Sequence, residues 1–562
     1  MIKNILIIVL VVISAFSCKA QDNSYELKQA NNNIAKPKLI VGIVIDQMRY
    51  DYLTRFYSKY GEGGFKRMVN EGYNCRNTHF NYIPTKTGPG HASIFTGTTP
   101  KYHGIIGNDW FDKGIKRKVN CVEDNTVAPI GTDSKDGKKS PHRLLTTTFA
   151  DENRLFTQMK GKTIGISLKH RGAILPAGHT ANGAYWLDYE HGGNGNWISS
   201  SFYMNNLPKW VKSFNNSDIA ESYFKPWNTL YNIDSYTESG PDLNAFEGGF
   251  KGKDTPTFPY DLEVLKDEND NYNIIAESPY GNSLITDFAL AAIEGEQLGM
   301  DDFTDVLTLS FSSTDKVGHN FGVNAIETQD TYLRLDLDLK RIFDALDEKV
   351  GHGEYTVFLT ADHGAPYTPG YLQSKKIPAG FFDLSVMKTE LNEFLFKKYG
   401  VLNLVLSRIN NQIFLDHDKV NKNQIDLKMI KEAIALQLLQ YKLIDKVYVT
   451  SEINQFVNPS GSGYLEILLA NGHNQKRSGD ILFVFNPSVF KDTPWNRTGT
   501  DHHSGLSYDT HVPLLFFGKG IKHGQTYNKT DITDIAPTMS ALLGISFPNG
   551  AIGEPLEFVF KE

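Results

Sequence analysis

The pattern of hydrophobic and polar positions divides most of the chain into alternating strands and helices. Continuous apolar runs are typical of buried strands in a parallel sheet, and they predict strands at 38–46, 163–168, 305–315, 355–364 and 512–520. Amphipathic segments predict helices at about 52–71, 283–299, 425–443 and 531–545. The runs at 464–470 and 480–487 are interpreted as a hairpin or as edge strands. Strands that alternate with helices predict an α/β sandwich.

One long segment, residues 175–280, does not follow this alternation. It is rich in Gly, Asn, Trp and Tyr and has little periodicity, so we interpret it as a cap inserted into a catalytic domain that runs from 38 to 562. A chain of 562 residues is long enough for one to three domains. The net charge of −7 and the absence of a basic run give no indication of nucleic-acid binding.

The N-terminus has the composition of an export signal. Lys3 precedes an apolar run over 5–13 and then small residues, which together are too short for a stable membrane anchor. We predict a signal peptide over 1–20, a flexible polar lead-in over 21–37, and an exported, periplasmic protein with no transmembrane segment in the mature chain. Cys18 leaves a second route open, in which lipoprotein processing attaches the chain to a lipid.

Two cysteines, Cys75 and Cys121, remain in the mature chain. In an exported protein they are compatible with a disulfide, and equally with two buried free thiols. Neither lies in a C-x-x-C spacing, so neither is expected to bind a metal.

Acidic residues follow three of the predicted strands, and histidines lie close behind them. Ligands of open α/β sheets gather beyond the carboxyl ends of the strands, so these side chains are expected to meet there. Imidazole and carboxylate ligands without thiolates suit Zn²⁺, with Mn²⁺ or Fe as alternatives. The candidate ligands are Asp46, Asp315, His319, Asp362, His363 and His502.

A candidate nucleophile, Thr87, lies in the motif P-T-K-T-G-P-G-H. The motif predicts a turn rich in Gly and Pro that leads into a helix, with Pro89 in the first helical turn. Free backbone N–H groups and the positive end of the helix dipole favour an oxyanion or a phosphate at such a junction. A threonine hydroxyl becomes a useful nucleophile only when a base or a metal activates it.

These residues, in this order, resemble the alkaline phosphatase superfamily of two-metal phospho- and sulfohydrolases over about 38–560. The motif P-T-K-T-x-P-x-H is similar to that of the nucleotide pyrophosphatase/phosphodiesterase branch. The segments that resemble the PafA-type bacterial alkaline phosphatases are Y-H-G-I-I-G-N (102–108), S-L-K-H-R-G-A-I-L-P-A-G (167–178), S-Y-D-T-H-V-P-L-L (507–515) and P-N-G-A-I-G-E-P-L (548–556). The resemblance implies an alkaline-phosphatase-like three-layer α/β/α sandwich around a mostly parallel sheet, with an inserted cap.

The resemblance also implies a mechanism with two Zn²⁺ ions. The implied ligands are Asp46, Asp362 and His363 for one ion, and Asp315, His319 and His502 for the other. The first ion is implied to bind Thr87 and lower the pKa of its hydroxyl, and the second to bind the leaving-group oxygen. Thr87 would form a covalent phosphothreonine that water then hydrolyses. The implied enzyme is a zinc-dependent alkaline phosphatase that hydrolyses phosphate monoesters of broad range, with a monomer as the expected state.

Three further residues, Asn108, Lys169 and Arg171, are implied to contact the phosphoryl oxygens. Alternation along a continued strand would place Lys169 and Arg171 on one face, with His170 opposite. Two cations at that position favour the dianion of a phosphate monoester, and an arginine can bind two oxygens at once.

Several features keep alternatives open. His503 stands where the family usually has Gly, so either histidine is a candidate ligand, and His502 is preferred for its place after G-T-x. Gly88 and Pro89 resemble the diesterase branch, which makes a phosphodiesterase or nucleotide pyrophosphatase on the same scaffold the alternative function. A catalytically inactive surface protein that binds glycans or phosphate is a third hypothesis. The sequence has no C-x-P-x-R or S-x-P-x-R sulfatase signature.

Overall fold

The computed structural model describes residues 36–457, 463–492 and 497–561. The predicted signal peptide, nearly all of the lead-in and Cys18 lie outside the described residues. The strands are β1 (Leu39–Ile45), β2 (Tyr73–Cys75), β3 (Thr78–His79), β4 (Asp109–Asp112), β5 (Arg117–Asn120), β6 (Pro129–Ile130), β7 (Thr163–Ser167), β8 (Gly183–Leu187), β9 (Trp197–Ser200), β10 (Pro226–Trp227), β11 (Tyr260–Asp261), β12 (Asp305–Phe311), β13 (Tyr355–Thr360), β14 (Gly380–Phe382), β15 (Val405–Ile409), β16 (Gln412–Leu415), β17 (Ile444–Val449), β18 (Ile481–Phe485), β19 (Val489–Lys491), β20 (His511–Val512), β21 (Leu514–Gly518), β22 (Gly524–Thr526) and β23 (Thr530–Asp531).

The α-helices alternate with these strands and are short on average. They are α1 (Tyr52–Arg55), α2 (Phe65–Glu71), α3 (Thr87–Thr96), α4 (Pro100–His103), α5 (Phe149–Phe156), α6 (His170–Ala177), α7 (Lys209–Asn215), α8 (Leu262–Leu265), α9 (Asn273–Ala276), α10 (Tyr280–Gly295), α11 (Ser313–Phe321), α12 (Ile326–Leu346), α13 (Pro369–Ser374), α14 (Met387–Tyr399), α15 (His417–Lys422), α16 (Leu427–Leu438), α17 (Tyr464–Gly472), α18 (Ser507–Thr510) and α19 (Ile535–Leu543).

The main sheet has ten strands in the order β22-β2-β21-β13-β1-β12-β7-β8-β9-β6. Its centre, from β13 to β8, is parallel throughout, whereas β21 and β9 run antiparallel on either side. Every residue of β1, β12 and β13 is buried, as expected for apolar strands that are covered on both faces. The predicted α/β class is therefore confirmed, with a sheet that is parallel at its centre and mixed towards its edges.

The strand register brings the predicted ligands to one edge of the sheet. Ile45 of β1 pairs with Phe311 of β12, and Val44 pairs with Thr360 of β13. The chain therefore leaves these three strands side by side at their carboxyl ends. The prediction of a strand over 305–315 is wrong in its second half, because β12 ends at Phe311 and α11 begins at residue 313. Asp315 thus lies in the first turn of a helix, where the helix dipole favours an acidic side chain.

Two other predicted strands are helical. Residues 464–470 belong to α17, in which Leu468 and Leu469 are buried while Tyr464 is exposed. A short apolar run has no periodicity that separates a strand from a buried helix, which explains the error. The expected strand continuation through Lys169 and Arg171 is also wrong, because β7 ends at Ser167 and α6 begins at residue 170.

The range interpreted as a cap, 175–280, contributes two strands, β8 and β9, to the main sheet. The irregular part lies between these strands and α10, and it contains short helices and the two-stranded ribbon β10–β11. The rings of Trp227, Phe258 and Tyr260 pack within 5.2–5.4 Å of one another. This aromatic packing replaces regular secondary structure, which explains the lack of periodicity in the sequence.

A second antiparallel sheet, in the order β15-β16-β18-β17, forms a smaller layer with α14 and α16. It has its own hydrophobic core, in which Leu391, Ile413 and Ile434 are completely buried. The helix at 425–443 and a strand at 480–487 were predicted from the sequence, but their place in a separate layer was not.

Cys75 and Cys121 are both buried free thiols. The structure therefore has the alternative with two free thiols and not the disulfide. None of the helices in the described part of the chain combines the length and hydropathy that a membrane crossing needs.

Candidate active site

Three buried side chains meet where β1 and β13 end. Asp46 follows β1, while Asp362 and His363 follow β13, and none of the three is accessible to solvent. The His363 Nε2 atom lies 3.4 Å from Asp46 Oδ1 and 3.6 Å from Asp362 Oδ2. None of these three atoms has a hydrogen-bond partner. Unpaired polar atoms in a protein interior are costly, so the donor set fits a cation held between them.

A second group of potential ligands adjoins the first. Asp315 and His319 lie one turn apart on α11, and His502 reaches them from a loop near the C-terminus. The Asp315 Oδ1 atom is 3.1 Å from His319 Nε2 and 3.7 Å from His502 Nε2. The ring of His502 stacks on that of His363, with 3.3 Å between their centroids. The two groups therefore form one continuous site.

Backbone carbonyl groups orient all three imidazole rings. The Nδ1 atom of His363 lies 3.0 Å from Gly364 O, that of His319 lies 2.8 Å from Thr500 O, and that of His502 lies 2.8 Å from Thr85 O. A carbonyl oxygen only accepts hydrogen bonds, so each Nδ1 carries the proton and donates it. When a ring is neutral, its Nε2 then presents a lone pair towards the carboxylates, which is the arrangement of histidines that bind metals.

Potential ligand atoms within 4.8 Å of one another form three overlapping groups. They are Asp46, Asp362 and His363; Asp315, His363 and His502; and His319, Asp501 and His502. Asp501 was not predicted, although its place beside His502 in T-D-H-H was a usable signal. His503 is in none of these groups: its backbone N–H donates to Asp509, and its ring packs 5.9 Å from that of Phe485.

Thr87 begins α3, as the Gly/Pro motif predicted, and its side chain is buried. The next residue, Gly88, donates its N–H to Asn108 Oδ1 at 2.6 Å. A Cβ on Gly90 would lie 2.5 Å from the Asp362 carbonyl oxygen, so only glycine permits this close approach of α3 to the end of β13. Thr85, which holds His502, stands two residues before Thr87. The start of α3 is therefore fixed against both ligand groups.

Two buried residues that the sequence analysis missed connect these parts. His91 contacts the Thr87 carbonyl oxygen, the Ser310 hydroxyl and, at 3.5 Å, Asp362 Oδ2. Gln47 donates its backbone N–H to Asp362 and its side-chain amide to Asp315 at 2.7 Å. Its positive φ of 67° is unusual for a residue other than glycine and marks a turn held by its surroundings.

Lys169 bridges the two ligand groups. Its Nζ atom lies 2.5 Å from both Asp46 Oδ2 and Asp315 Oδ2. Arg171, in the first turn of α6, has a buried Nε atom without a hydrogen-bond partner. Among the described residues it forms no ion pair with a carboxylate. A guanidinium without an acidic partner beside a cluster of carboxylates is a candidate to bind an anion.

The protonation states of the site follow from burial and mutual repulsion. Burial and then the neighbouring carboxylates raise the pKa of Asp46 and of Asp362. Burial lowers the pKa of His363 to about 3 and holds that of His502 well below its usual value, so both rings are neutral at neutral pH. Burial would also lower the pKa of His319, but the Asp315 carboxylate raises it to about 9.

A cavity of about 430 Å³ opens beside this site. Lys86, Asn108, Asp501 and His503 line it on the side of the site, and the second sheet forms the opposite wall, including Arg408. The second sheet thus borders a cavity that begins beside Lys86, the residue that precedes Thr87.

Comparisons with known proteins identify the family of this chain. The profile of the family "Type I phosphodiesterase / nucleotide pyrophosphatase" matches residues 40–509. The chain is 46% identical to alkaline phosphatase PafA of Elizabethkingia meningoseptica over 94% of this chain and 95% of that one. It is 45% identical to a protein named calcium-transporting ATPase from Myroides odoratus, over 95% and 96%. It is 44% identical to alkaline phosphatase PhoV of Synechococcus elongatus, over 99% of both.

Solved structures give the same result. The crystal structure of wild-type PafA superimposes with a TM-score of 0.89 at 45% identity, over 94% of this chain and 100% of that one. A PafA variant, in which a threonine, an asparagine, a lysine and an arginine are replaced, gives the same values. The chain therefore belongs to the type I phosphodiesterase/nucleotide pyrophosphatase family, within the group that includes the PafA-type alkaline phosphatases.

Proposed function

We propose that this protein hydrolyses phosphate monoesters with two bound zinc ions and a covalent phosphothreonine at Thr87. The observation that carries the proposal is the convergence of Asp46 Oδ1, Asp362 Oδ2 and His363 Nε2. All three atoms are buried without a hydrogen-bond partner, and both oxygens lie within 3.6 Å of the imidazole nitrogen. Nitrogen and oxygen ligands without sulfur suit Zn²⁺. The alkaline phosphatases among the relatives support the reaction class.

Asp46, Asp362 and His363 would hold one ion, and Asp315, His319 and His502 the other. When bound, such ions lower the pKa of a hydroxyl group and neutralise charge on the transferred phosphoryl group. The orientation of the three histidines supports this assignment, because each Nε2 faces a carboxylate while Nδ1 is held by the backbone.

The reaction proceeds in two displacements at phosphorus. The Thr87 oxygen forms a bond to phosphorus and loses its proton to solvent, while the ester P–O bond breaks and the leaving oxygen takes the electron pair. Water then attacks the phosphothreonine, releases inorganic phosphate and restores the Thr87 hydroxyl. The position of Thr87 at the first turn of α3 supports its role, since the backbone N–H groups there favour a bound anion.

Asn108, Lys169 and Arg171 would bind the phosphoryl oxygens. The Asn108 side-chain oxygen accepts from Gly88, so its NH₂ group is left to donate. Lys169 uses two of its three N–H donors on Asp46 and Asp315, which leaves the third for the substrate. Arg171 has an unpartnered Nε. In the PafA variant a threonine, an asparagine, a lysine and an arginine are replaced together. These are the residue types of Thr87, Asn108, Lys169 and Arg171, which is consistent with a shared function.

The second candidate function is phosphodiester or pyrophosphate hydrolysis on the same scaffold. The family profile and the Gly88–Pro89 sequence favour it. The two cations near Thr87 favour a monoester, whose dianion carries more charge on its nonbridging oxygens than a diester does. We compare kcat/KM for p-nitrophenyl phosphate with that for bis-p-nitrophenyl phosphate. A higher value for the diester would replace the first function by the second.

The mechanism is tested by trapping the phosphorylated enzyme at low pH and locating the phosphate by mass spectrometry. We expect it on Thr87. Phosphate on any other residue would overturn the mechanism, and zinc-free protein that stays inactive after zinc addition would favour a catalytically inactive binding protein.

We also propose that the protein is exported to the periplasm after removal of residues 1–20. The sequence pattern of Lys3 followed by an apolar run supports this proposal. Cell fractionation together with the mass of the mature N-terminus tests it. A lipid-modified N-terminal cysteine would show that Cys18 anchors the chain instead.

A further inference from the structure

A second group of buried carboxyl groups lies away from the proposed zinc ligands, between the loop at 240–249 and the first turn of α12. Glu327 is completely buried, and only 5% of the Glu247 surface is accessible. Asp242, on the same loop as Glu247, is half-buried beside them. The three residues come from two separate segments of the chain, so the fold itself brings the acids together.

The hydrogen bonds of this group leave one oxygen of each glutamate free. Asn244 donates to Glu247 Oε1 at 3.0 Å, and the Tyr260 hydroxyl donates to Glu327 Oε1 at 2.6 Å. The Oε2 atoms of Glu247 and Glu327 are both buried and have no hydrogen-bond partner. No lysine or arginine among the described residues forms an ion pair with Glu247 or Glu327.

A proton or a cation would both satisfy these oxygens and remove the repulsion between the carboxylates. Burial and then mutual repulsion raise the pKa of Glu247 to about 10, and burial raises that of Glu327 to about 8. The charged groups that face them are the Asp242 and Asp330 carboxylates, together with Lys253, whose amino group lies 5.4 Å from the Tyr260 ring. Asp330 is itself paired with Arg334. The local balance is therefore negative whenever the two glutamates are ionised.

We propose that Glu247 and Glu327 bind a hard divalent cation of the Ca²⁺ type through their free Oε2 atoms, at a structural site separate from the zinc ligands. Carboxylate oxygens are the ligands that Ca²⁺ prefers, and the flexible geometry of Ca²⁺ accepts water in its remaining positions. Asp242 adds negative charge at the half-buried side of the same site. A bound cation would satisfy both unpaired oxygens in one step.

The position of this site gives it a structural role near the zinc ligands. The loop that carries Glu247 forms two backbone hydrogen bonds with neighbouring segments. The Gly499 N–H donates to Phe246 O, and the Gly248 N–H donates to Asn320 O at 2.8 Å. Asn320 is the neighbour of His319, and Gly499 precedes Thr500, whose carbonyl orients the His319 ring. A cation at Glu247 and Glu327 would therefore stiffen the backbone on which His319 depends.

The direct test measures calcium and zinc in the same sample. Purified holoprotein is equilibrated with Ca²⁺ in buffer with a constant low level of ZnCl₂, and bound metals are counted by mass spectrometry. Wild-type protein is expected to bind one Ca²⁺ per chain. Glu247→Gln and Glu327→Gln should lose it and keep their zinc, whereas Glu263→Gln, which removes an exposed acid paired with Lys266, should bind it like wild type. Calcium binding that survives both core variants would overturn the proposal.

A stability measurement shows whether a bound cation or bound protons satisfy the two carboxyl groups. At free Ca²⁺ 100 times its Kd, the equilibrium constant for folding should rise about 100-fold for wild type and remain unchanged for the double Gln variant. Without Ca²⁺, the folded protein holds more protons at these carboxyl groups than the unfolded chain, so its free energy of unfolding should fall as pH rises from about 4.5 towards 8. Ca²⁺ should reduce this loss. The same pH dependence with and without Ca²⁺ would show that protons alone satisfy the pair.

Discussion

The ring of His91 is tied to the residue it would position, because its Nδ1 atom lies 2.8 Å from the carbonyl oxygen of Thr87. The other nitrogen, Nε2, lies 2.8 Å from the Ser310 hydroxyl at the end of β12. Burial lowers the pKa of His91 to about 4, so the ring is neutral at neutral pH. It then donates from Nδ1 to Thr87 and accepts at Nε2 from Ser310. One side chain thus connects the start of α3 with the central sheet.

Replacing this ring should affect both stability and turnover. His91→Ala removes the hydrogen bonds that the ring makes to the Ser310 hydroxyl and the Thr87 carbonyl, which costs about 1–3 kcal/mol in the free energy of unfolding. We expect kcat to fall more than KM rises, since Thr87 loses its position while the phosphate contacts remain. His103→Ala is the control, because His103 is equally buried but bonds to Ser93. Equal losses of kcat in both variants would contradict a positioning role for His91.

The neighbouring histidines His502 and His503 should differ in metal binding. His502 Nε2 faces Asp315, whereas the ring of His503 faces Phe485 and the cavity. His502→Ala is expected to lose one of the two zinc ions and nearly all activity. His503→Ala should keep both ions. Zinc counted by mass spectrometry decides this, and loss of zinc only in the His503 variant would reverse the assignment.

Arg171 should discriminate between substrate classes. Its unpartnered guanidinium is expected to contact the phosphoryl dianion, so Arg171→Ala should lower kcat/KM for a monoester by about 100-fold or more. The loss for a diester should be far smaller, because the diester carries less charge on those oxygens. Arg154→Ala is a matched control, since Arg154 donates only to backbone carbonyls near the amino end of β7. Equal losses on both ester classes would refute the proposed role.

Metal removal should cost the protein both its activity and part of its stability. Without a cation, Asp46, Asp362 and His363 keep buried lone pairs unsatisfied and the two carboxylates repel each other. Dialysis against a chelator is expected to abolish hydrolysis and lower Tm, and zinc addition should restore both. Full activity in protein shown by elemental analysis to be free of metal would exclude a metal-dependent mechanism.

The two buried thiols should be unreactive in the native protein. Burial raises the pKa of Cys75 and of Cys121 to about 12, so the thiolate that reacts with thiol reagents is almost absent at pH 8. With Cys18 replaced by Ser, the native chain should show no reactive thiol and the unfolded chain two. No reactive thiol after unfolding would indicate a disulfide instead of the free pair.

Much of the fold was readable because buried strands leave a strong signal. The segments that form β1, β7, β13 and β21 are mostly apolar, and the pattern predicted a strand at each of them. The same signal was misleading at α17, because a seven-residue segment with six apolar residues fits a buried helix as well as a strand. The second sheet escaped prediction because β15 and β17 are only partly buried and carry polar residues.

The residues of the candidate site were likewise predicted only in part from the sequence. Asp46, Asp362 and His363 were predicted because acids and histidines that directly follow buried strands are conspicuous. Gln47 and His91 were missed, because nothing in their local sequence shows that they contact residues more than 200 positions away. Asp501 was missed although it adjoins His502.

The sequence by itself determined the α/β class, the strand ends that Asp46 and Asp362 follow, and the residue types suited to zinc and phosphate. These properties are local, because they follow from apolar periodicity and from the chemistry of single side chains. Only the tertiary structure decided that Lys169 bridges Asp46 and Asp315, that His502 and not His503 faces Asp315, and that Glu247 and Glu327 are each buried with an unpaired oxygen. Those contacts join distant segments, and the register of the sheet and the packing of loops on it fix which side chains meet.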